Sequence, residues 1–289
     1  MSGSLHAVGL VPHRDRPVAH DLARRAAAAL ADLGVEVRVP ALDAAGLDGL
    51  DRLAVDPDDF AKDLDVALSL GGDGTMLRTV DLVYERGVAV LGVNVGQMGY
   101  LTEVEPGDLD RALARLVAGD YAVDERMMLE VRVESSGTAA GRWWALNEAV
   151  IEKVRAGRLV RLDVDINGAF FTTYAADGVI VATPTGSTAY SFSARGPIVS
   201  PRHRCLLLTP VSPHMLFDRS LVLDPEEELR FGVTDDRSVM LTIDGRELGE
   251  LAAGDHVTCT GGPHPARVVT FGPRDFHQIL KAKFGLADR

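Results

Sequence analysis

Asp65-Val66-Ala67-Leu68-Ser69-Leu70-Gly71-Gly72-Asp73-Gly74-Thr75 is the stretch on which the reading of this chain turns. Its first half is an apolar run too short for a helix and closed by paired glycines, so it reads as a buried strand. Its second half is a turn suited to a phosphate. Gly71, Gly72 and Gly74 can take positive φ and carry no Cβ, so their backbone N–H groups can approach an anion closely. Thr75 then opens a helix expected over residues 76–85, whose free N–H groups and positive dipole end add to the attraction.

Within that turn stands one carboxylate, Asp73, among groups that favour an external anion, where its negative charge is a liability. A residue that works against its surroundings reads as chemical: it takes a proton from an attacking hydroxyl while the glycines hold a phosphoryl donor. The competing reading is a Gly-Asp-Gly hairpin turn, in which Asp is common for its local hydrogen bonds. The strand before and the helix after favour the phosphate loop. The stretch is not a Walker A loop, which ends in Gly-Lys-Ser/Thr, nor a full Gly-x-Gly-x-x-Gly fingerprint.

Outward from this stretch, a strand over residues 6–11, a helix over 18–33 that stops at Gly34, and a strand over 35–39 open the chain. The pattern repeats through 64–70, 76–85 and 88–93, which predicts an α/β domain with a parallel sheet covered by helices. Ligands of such sheets bind at the carboxyl ends of strands, where Asp73 falls. Next comes Gly92-Val93-Asn94-Val95-Gly96-Gln97-Met98-Gly99-Tyr100-Leu101, a second glycine-rich segment that reads equally as a structural turn or a binding loop. A helix over 106–118 closes this half. From about residue 121 the chain alternates in β-branched segments (128–133, 143–151, 159–166, 170–174, 221–223), and Asn167-Gly168 marks a tight hairpin. A mostly antiparallel β domain is therefore expected. The division is residues 1–120, 121–270, and a final stretch 271–289 whose helix, 276–284, packs back on the α/β domain.

At 289 residues, 46% hydrophobic and 25% charged, the chain has the composition of an ordinary globular protein. Its net charge of −12 argues against nucleic acid and anionic membranes as partners. Nucleotides are anions too, so a nucleotide site here needs backbone dipoles, single arginines and a divalent cation. Cys205 and Cys259 lack metal spacing and are expected to be free thiols in a reducing cytoplasm. There is no signal-like start and no run of eighteen apolar residues, so neither export nor membrane insertion is expected. The eight histidines show no pair at ligand spacing, and no metal site of protein ligands is expected.

Two further constellations carry chemistry. Asn147-Glu148 interrupts an apolar strand pattern, and a buried amide and carboxylate are costly unless paired or used; ribose hydroxyls or a base edge would suit them. The alternative is a strand end facing solvent. Then Asp177-Gly178 leads through a strand into Thr183-Pro184-Thr185-Gly186-Ser187-Thr188-Ala189-Tyr190-Ser191-Phe192-Ser193, a hydroxyl-rich turn with a helix start expected at Ser187 or Thr188. Hydroxyls and free helix N–H groups read nucleotide edges without adding charge, and Tyr190 offers a flat face.

Gly-Gly-Asp-Gly-Thr alone resembles NAD kinases, 6-phosphofructokinases, and the diacylglycerol and sphingosine lipid kinases. Only the NAD kinase family also resembles the 92–101 segment, Asn147-Glu148, Asp177-Gly178, the 183–191 turn, Pro213-His214 and Asp244-Gly245, in order from about residue 60 to the final helix. The resemblance implies transfer of the γ-phosphoryl of ATP to the 2′-hydroxyl of the adenosine ribose of NAD, giving NADP. It further implies two domains, with a site in the cleft between them, a homodimer or homotetramer, and Mg²⁺ or another divalent cation held mainly by ATP. Carried over, Asp73 is the base, and Gly71, Gly72, Gly74 and Thr75 hold donor phosphates with Arg78 as a phosphate clamp. Asn147 and Glu148 bind adenosine, Asp177 lies near the nicotinamide half, and Thr188, Ala189, Tyr190, Ser191, Phe192 and Ser193 line adenine and ribose. Arg158 is a further nucleotide contact, or else a solvated hairpin charge.

Departures from the family are Arg195 where a glycine usually precedes Gly196-Pro197, Arg219-Ser220 in place of Arg-Pro, and Tyr100 in place of Phe. Two alternatives stand beside the kinase of NAD. One is a lipid or sugar kinase with the same loop, against which the lipid kinases' Asn-Glu after the loop is replaced here by Met76-Leu77-Arg78. The other is a non-catalytic NAD(P) sensor, favoured by Arg195 and opposed by the intact Asp73.

Overall fold

The apolar runs of the first half become strands buried from end to end, as parallel strands covered on both faces must be. The computed structural model describes residues 5–96, 99–155, 157–273 and 275–286. In it β1 (Ala7–Pro12), β2 (Glu36–Pro40), β3 (Ala54–Val55), β4 (Val66–Gly71), β5 (Ala89–Asn94) and β6 (Ala122–Arg126) share a seven-stranded sheet with the late strand Ala266–Thr270. The order is β3-β2-β1-β4-β5, then Ala266–Thr270, then β6. β1 pairs in parallel with both β2 and β4, and β4 with β5. From β1 the chain steps outward to β2 and β3, then returns to build β4 on the other flank. The carboxyl ends of β1 and β4 therefore bracket a topological switch point, where an α/β sheet opens a crevice.

The helices Pro17–Asp32, Asp73–Val83 and Leu109–Val117 turn one-sided apolar faces inward, whereas Phe276–Phe284 buries none of its residues. In α1 (Pro17–Asp32) Ala19, Leu22, Ala23, Ala26 and Leu30 are buried at three- and four-residue spacing, and Pro17 stands in its first turn, where a missing N–H does no harm. α2 (Asp73–Val83) follows β4, and α3 (Leu109–Val117) buries Leu109, Ala112, Leu113 and Leu116. α4 (Phe276–Phe284) is capped by Asp275, which accepts from the His277 and Gln278 N–H groups.

The chain divides into two units: residues up to Glu125 together with those from Ala266 onward, and Arg126–Pro265. The strand Ala266–Thr270 falls inside the 121–270 β domain drawn from sequence, yet Val268 pairs in parallel with Val90 of β5. Alternation announces a strand but not which sheet will take it.

The second unit comprises β7 (Leu129–Glu134), β8 (Gly141–Ala145), β9 (Glu148–Lys153), β10 (Val160–Ile166), β11 (Ala169–Ala176), β12 (Gly178–Ala182), β13 (Leu206–Val211), β14 (Leu221–Leu223), β15 (Leu229–Val233), β16 (Val239–Ile243), β17 (Arg246–Leu251) and β18 (His256–Gly261). They form two six-stranded sheets, ordered β11-β10-β15-β18-β7-β8 and β14-β13-β12-β9-β16-β17. Inward residues of both, among them Val131, Leu162, Phe231, Ile151, Val179 and Leu208, share one core, the arrangement of a β-sandwich. Asn167 and Gly168 both take positive φ in the β10–β11 hairpin. The single strand expected over 143–151 is two: β8 ends at Ala145 in one sheet and β9 starts at Glu148 in the other. Leu146-Asn147 is the step between sheets, which explains how polar residues sit inside an apolar pattern. Among the described residues no helix is long and apolar enough to cross a membrane.

Tyr174 of β11 is fully buried in the sandwich core, and its hydroxyl has no hydrogen-bond partner among the described residues. Tyr174→Phe removes an unsatisfied polar atom without opening a large void, and is expected to stabilise the protein by about 1 kcal/mol. Urea unfolding of both proteins measures this; a destabilised Phe variant would show that the hydroxyl is bonded in solution.

Candidate active site

β4 runs almost without a turn into α2. The helix begins at Asp73 rather than beyond Thr75, with Gly72 as its N-cap at φ −97°, and the Gly72 carbonyl accepts from the Thr75 and Met76 N–H groups at 3.0 and 3.1 Å. Gly71, Gly72 and Gly74 all lack positive φ, and a Cβ at Gly72 or Gly74 would meet nothing within 4 Å, so the structure gives a reason for Gly71 alone. A Cβ on Gly71 would lie 2.2 Å from Thr75 Oγ1; glycine is needed there for space.

Asp73 thus occupies the first turn of an eleven-residue helix, where the dipole and open N–H groups favour a negative side chain. The liability expected from sequence is absent. Its carboxylate accepts from the Tyr100 N–H at 2.8 Å and the Leu101 N–H at 3.0 Å. A Cβ on Gly99 would stand 2.1 Å from Asp73 Oδ1. The second glycine-rich segment, undecided on its residues alone, is therefore the cradle that orients Asp73. Its Gln97 and Met98 lie outside the described residues.

Asp73 borders a cavity of about 460 Å³ at the switch point, lined also by His13, Arg14, Arg16, Gly74 and Arg78. The His13 N–H donates to the Leu70 carbonyl at 2.9 Å, fastening the end of β1 to the end of β4. Arg16 donates to the Val95 carbonyl. Arg78, expected as a phosphate clamp, pairs with the buried Asp43 and donates to the Pro12 carbonyl at 2.7 Å. Sequence reasoning missed Arg14 and Arg16. The signal was His13-Arg14-Asp15-Arg16, a basic cluster directly after a strand of a parallel sheet.

The second unit carries the other residues. Asp244, in the β16–β17 hairpin, accepts from the N–H groups of Leu146, Asn147 and Glu148 at 2.7, 2.8 and 3.0 Å. The Asp-Gly pair that reads as a simple hairpin also holds the Asn147-Glu148 step. From the other side the Thr183 N–H donates to the Asn147 carbonyl at 2.9 Å, and a Cβ on Gly186 would meet that oxygen at 2.1 Å. Glu148 is 7% exposed. Burial first, and the negative charge of Asp244 second, push its pKa up to about 8, opposed by a hydrogen bond from the Tyr190 backbone. Asn147, Glu148 and the start of the 188–193 turn are therefore assembled in one place.

That turn is a 3-10 segment, Thr185–Thr188, followed by the single helical turn Tyr190–Ser193, so no long helix starts at Ser187 or Thr188. Thr188 Oγ1 reaches the Thr185 carbonyl at 3.4 Å, the Ala189 N–H donates to Gly186 at 2.9 Å, and the Tyr190 hydroxyl lies 3.4 Å from Glu152. Tyr190, Phe192 and Ser193 are exposed, whereas Ser191 is buried with its hydroxyl 3.2 Å from Thr209 Oγ1. Ser191 serves the fold, and a Cβ on Gly196 would strike it at 2.2 Å. Arg195 has φ +68°, so the turn keeps the conformation a glycine would take, at a strain of roughly 1 kcal/mol. Asp177 is paired with Lys153. Arg158 lines a separate cavity of about 510 Å³ with Lys153, Arg155 and Arg237.

A fixed carboxylate in a basic cavity at the switch point of a parallel sheet defines a phosphate-handling protein. The family model of the ATP-NAD kinase N-terminal domain matches residues 8–121, and that of the ATP-NAD kinase C-terminal domain matches residues 146–271. The NAD kinase of Heliobacterium modesticaldum is 41% identical over 277 residues, 96% of this chain and 97% of the relative. That of Symbiobacterium thermophilum is 41% identical over 276 residues, 95% and 97%. Among solved structures, yeast NADH kinase complexed with NADH superposes with a TM-score of 0.88 at 25% identity, covering 99% of this chain and 89% of that one. An NAD kinase from Archaeoglobus fulgidus in complex with ATP shares the fold, with a TM-score of 0.73 at 24% identity, covering 96% and 97%. This chain belongs to the NAD kinase family.

The raised pKa of Glu148 has a direction in pH. Between 4.5, its ordinary value, and about 8, the folded protein holds a proton that the unfolded chain has released. Stability therefore falls as pH rises through that window, by up to about 1.4 kcal/mol per unit, and levels off above it. Glu148→Gln is expected to flatten the difference in unfolding free energy between pH 5 and pH 8. Equal slopes for the two proteins in denaturant titrations would show that Glu148 does not titrate there.

Proposed function

We propose that this chain phosphorylates NAD, moving the γ-phosphoryl of ATP to the 2′-hydroxyl of the adenosine ribose to give NADP and ADP. The observation that carries the reading is the Asp73 carboxylate, aimed by two backbone N–H groups and bordering a cavity with Arg14, Arg16 and Arg78. As the ribose oxygen bonds to phosphorus, a free lone pair of Asp73 takes its proton and the bond to the β,γ-bridging oxygen breaks. Such transfers need positioning and charge neutralisation more than covalent chemistry. The guanidinium groups, the α2 N-terminus at Gly72, Gly74 and Thr75, and the divalent cation that accompanies ATP supply the neutralisation.

Mg²⁺ takes most of its oxygens from substrate phosphates and water. The divalent cation would therefore arrive with ATP and be held mainly by its oxygens. Asn147 and Glu148 bind the adenosine of NAD. With its pKa near 8, Glu148 is mostly protonated at neutral pH, so it offers a donor and an acceptor without setting a full charge against an anionic nucleotide. Asp177, tethered by Lys153, serves the nicotinamide half, and Thr188 to Ser193 shape the adenine and ribose pocket through backbone and aromatic surface, with Arg158 as an outlying contact. The protein works in the cytoplasm as a homodimer or homotetramer, without nucleic acid or membrane partners.

Purified protein with ATP, Mg²⁺ and NAD is expected to form NADP, read by an NADP-specific dehydrogenase. Asp73→Asn should lower kcat by roughly 10²–10⁴-fold with little change in KM. Absence of turnover in the unmutated protein with any donor, ATP or polyphosphate, and either acceptor, NAD or NADH, would sink the reading. Gly99→Ala tests the cradle separately: the new methyl group displaces the carboxylate, and kcat should fall on the order of a hundredfold while cooperative unfolding persists. Full activity in that variant would show that the cradle is dispensable.

A further inference from the structure

Asp43 lies in the short turn Ala41–Ala44 after β2, and its side chain is 1% exposed. A buried carboxylate is unfavourable unless paired, and even a paired one adds little stability over an apolar residue of similar size. This one is shared: Oδ1 accepts from Arg14 Nε at 2.7 Å and also from Arg78. Oδ2 is buried with no hydrogen-bond partner among the described residues. The two arginines come from different elements, Arg14 from the loop after β1 and Arg78 from α2, one turn beyond Gly74 on the same helix face. Both line the cavity that Asp73 borders.

Each arm is braced a second time. Arg78 donates to the Pro12 carbonyl at 2.7 Å, and His20 Nε2 lies 3.0 and 2.9 Å from the carbonyl oxygens of His13 and Arg14. The arms are nevertheless open to a ligand, with side chains 52% and 27% exposed for Arg14 and Arg78. One carboxylate between two guanidinium groups cancels their mutual repulsion and leaves a net positive charge at the cavity wall.

We propose that Asp43 is a positioning residue that holds Arg14 and Arg78 together as a two-armed clamp for the phosphate chain of the donor. Asp43 touches no substrate. Without it Arg14, on a loop and half in solvent, swings free, and ordering it again opposes binding. The proposal rests on the reading that the cavity takes a triphosphate donor.

The test uses the full chain and two readouts: calorimetric binding of inorganic tripolyphosphate with Mg²⁺, and steady-state kinetics with ATP and NAD varied separately. Asp43→Asn is expected to weaken tripolyphosphate binding and raise KM for ATP, each by roughly tenfold, the scale of one charge-assisted hydrogen bond, with kcat and KM for NAD within about twofold. A variant that melts earlier yet binds tripolyphosphate and ATP as before would overturn the proposal, leaving Asp43 a purely structural anchor. Should Asp43→Asn fail to fold, Arg14→Gln on the exposed arm is expected to weaken tripolyphosphate binding by a similar factor, and unchanged affinity there overturns the proposal equally. Tripolyphosphate binding requires neither acceptor nor transfer, so a protein that binds it but makes no NADP sinks the proposed activity while this inference stands.

Discussion

The hydrogen bonds from Tyr100 and Leu101 to the Asp73 carboxylate are the constraint on which the proposed proton transfer depends. A carboxylate at the head of a helix is stabilised wherever it points; to act on one particular proton it must point one way. The second glycine-rich segment supplies that direction, and Gly99 is glycine because the carboxylate fills the space of a side chain. The sharp entry from β4 into α2 follows the same logic, with Gly71 yielding its volume to Thr75. Both glycines are spatial requirements rather than conformational ones.

Charge is arranged with similar economy. A chain of net charge −12 that handles polyanions must gather its cations, and the basic wall of the Asp73 cavity does so with arginines tied to Asp43, to Pro12 and to Val95. In the second unit the opposite device operates. Asp244 spends its carboxylate on three backbone N–H groups and, by its charge, helps keep a proton on Glu148. One half-buried acid organises the step between sheets, and beside it burial and that acid's charge favour the protonated form of Glu148.

Arg195 shows how firmly the surrounding structure dictates a turn. A residue with a Cβ stands at φ +68°, a conformation that its neighbours impose. Ser220, where the family resemblance implies a proline, lies with its hydroxyl 3.1 Å from Thr209 Oγ1, a contact that proline could not make.

Period and punctuation along the chain, by themselves, determined the parallel α/β half, the antiparallel β half, the strand-to-helix turn with its single carboxylate and the family resemblance, because burial on one face and the break that paired glycines make in an apolar run act over a few residues. The same local signals singled out Asp73, whereas Asn147 and Glu148 were assigned to adenosine only through the family resemblance. Only the tertiary structure decided that the strand Ala266–Thr270 joins the parallel sheet, that the 143–151 run breaks between sheets at Asn147, that Gly99 cradles Asp73, and that Asp43 holds two arginines. Each of these joins residues far apart in the chain, such as Asp73 with Tyr100, Asp43 with Arg14 and Asp244 with Asn147. The partner of such a carboxylate is chosen by which donors, backbone N–H groups or arginine side chains, the fold brings within 3 Å or so, and no local pattern records that choice.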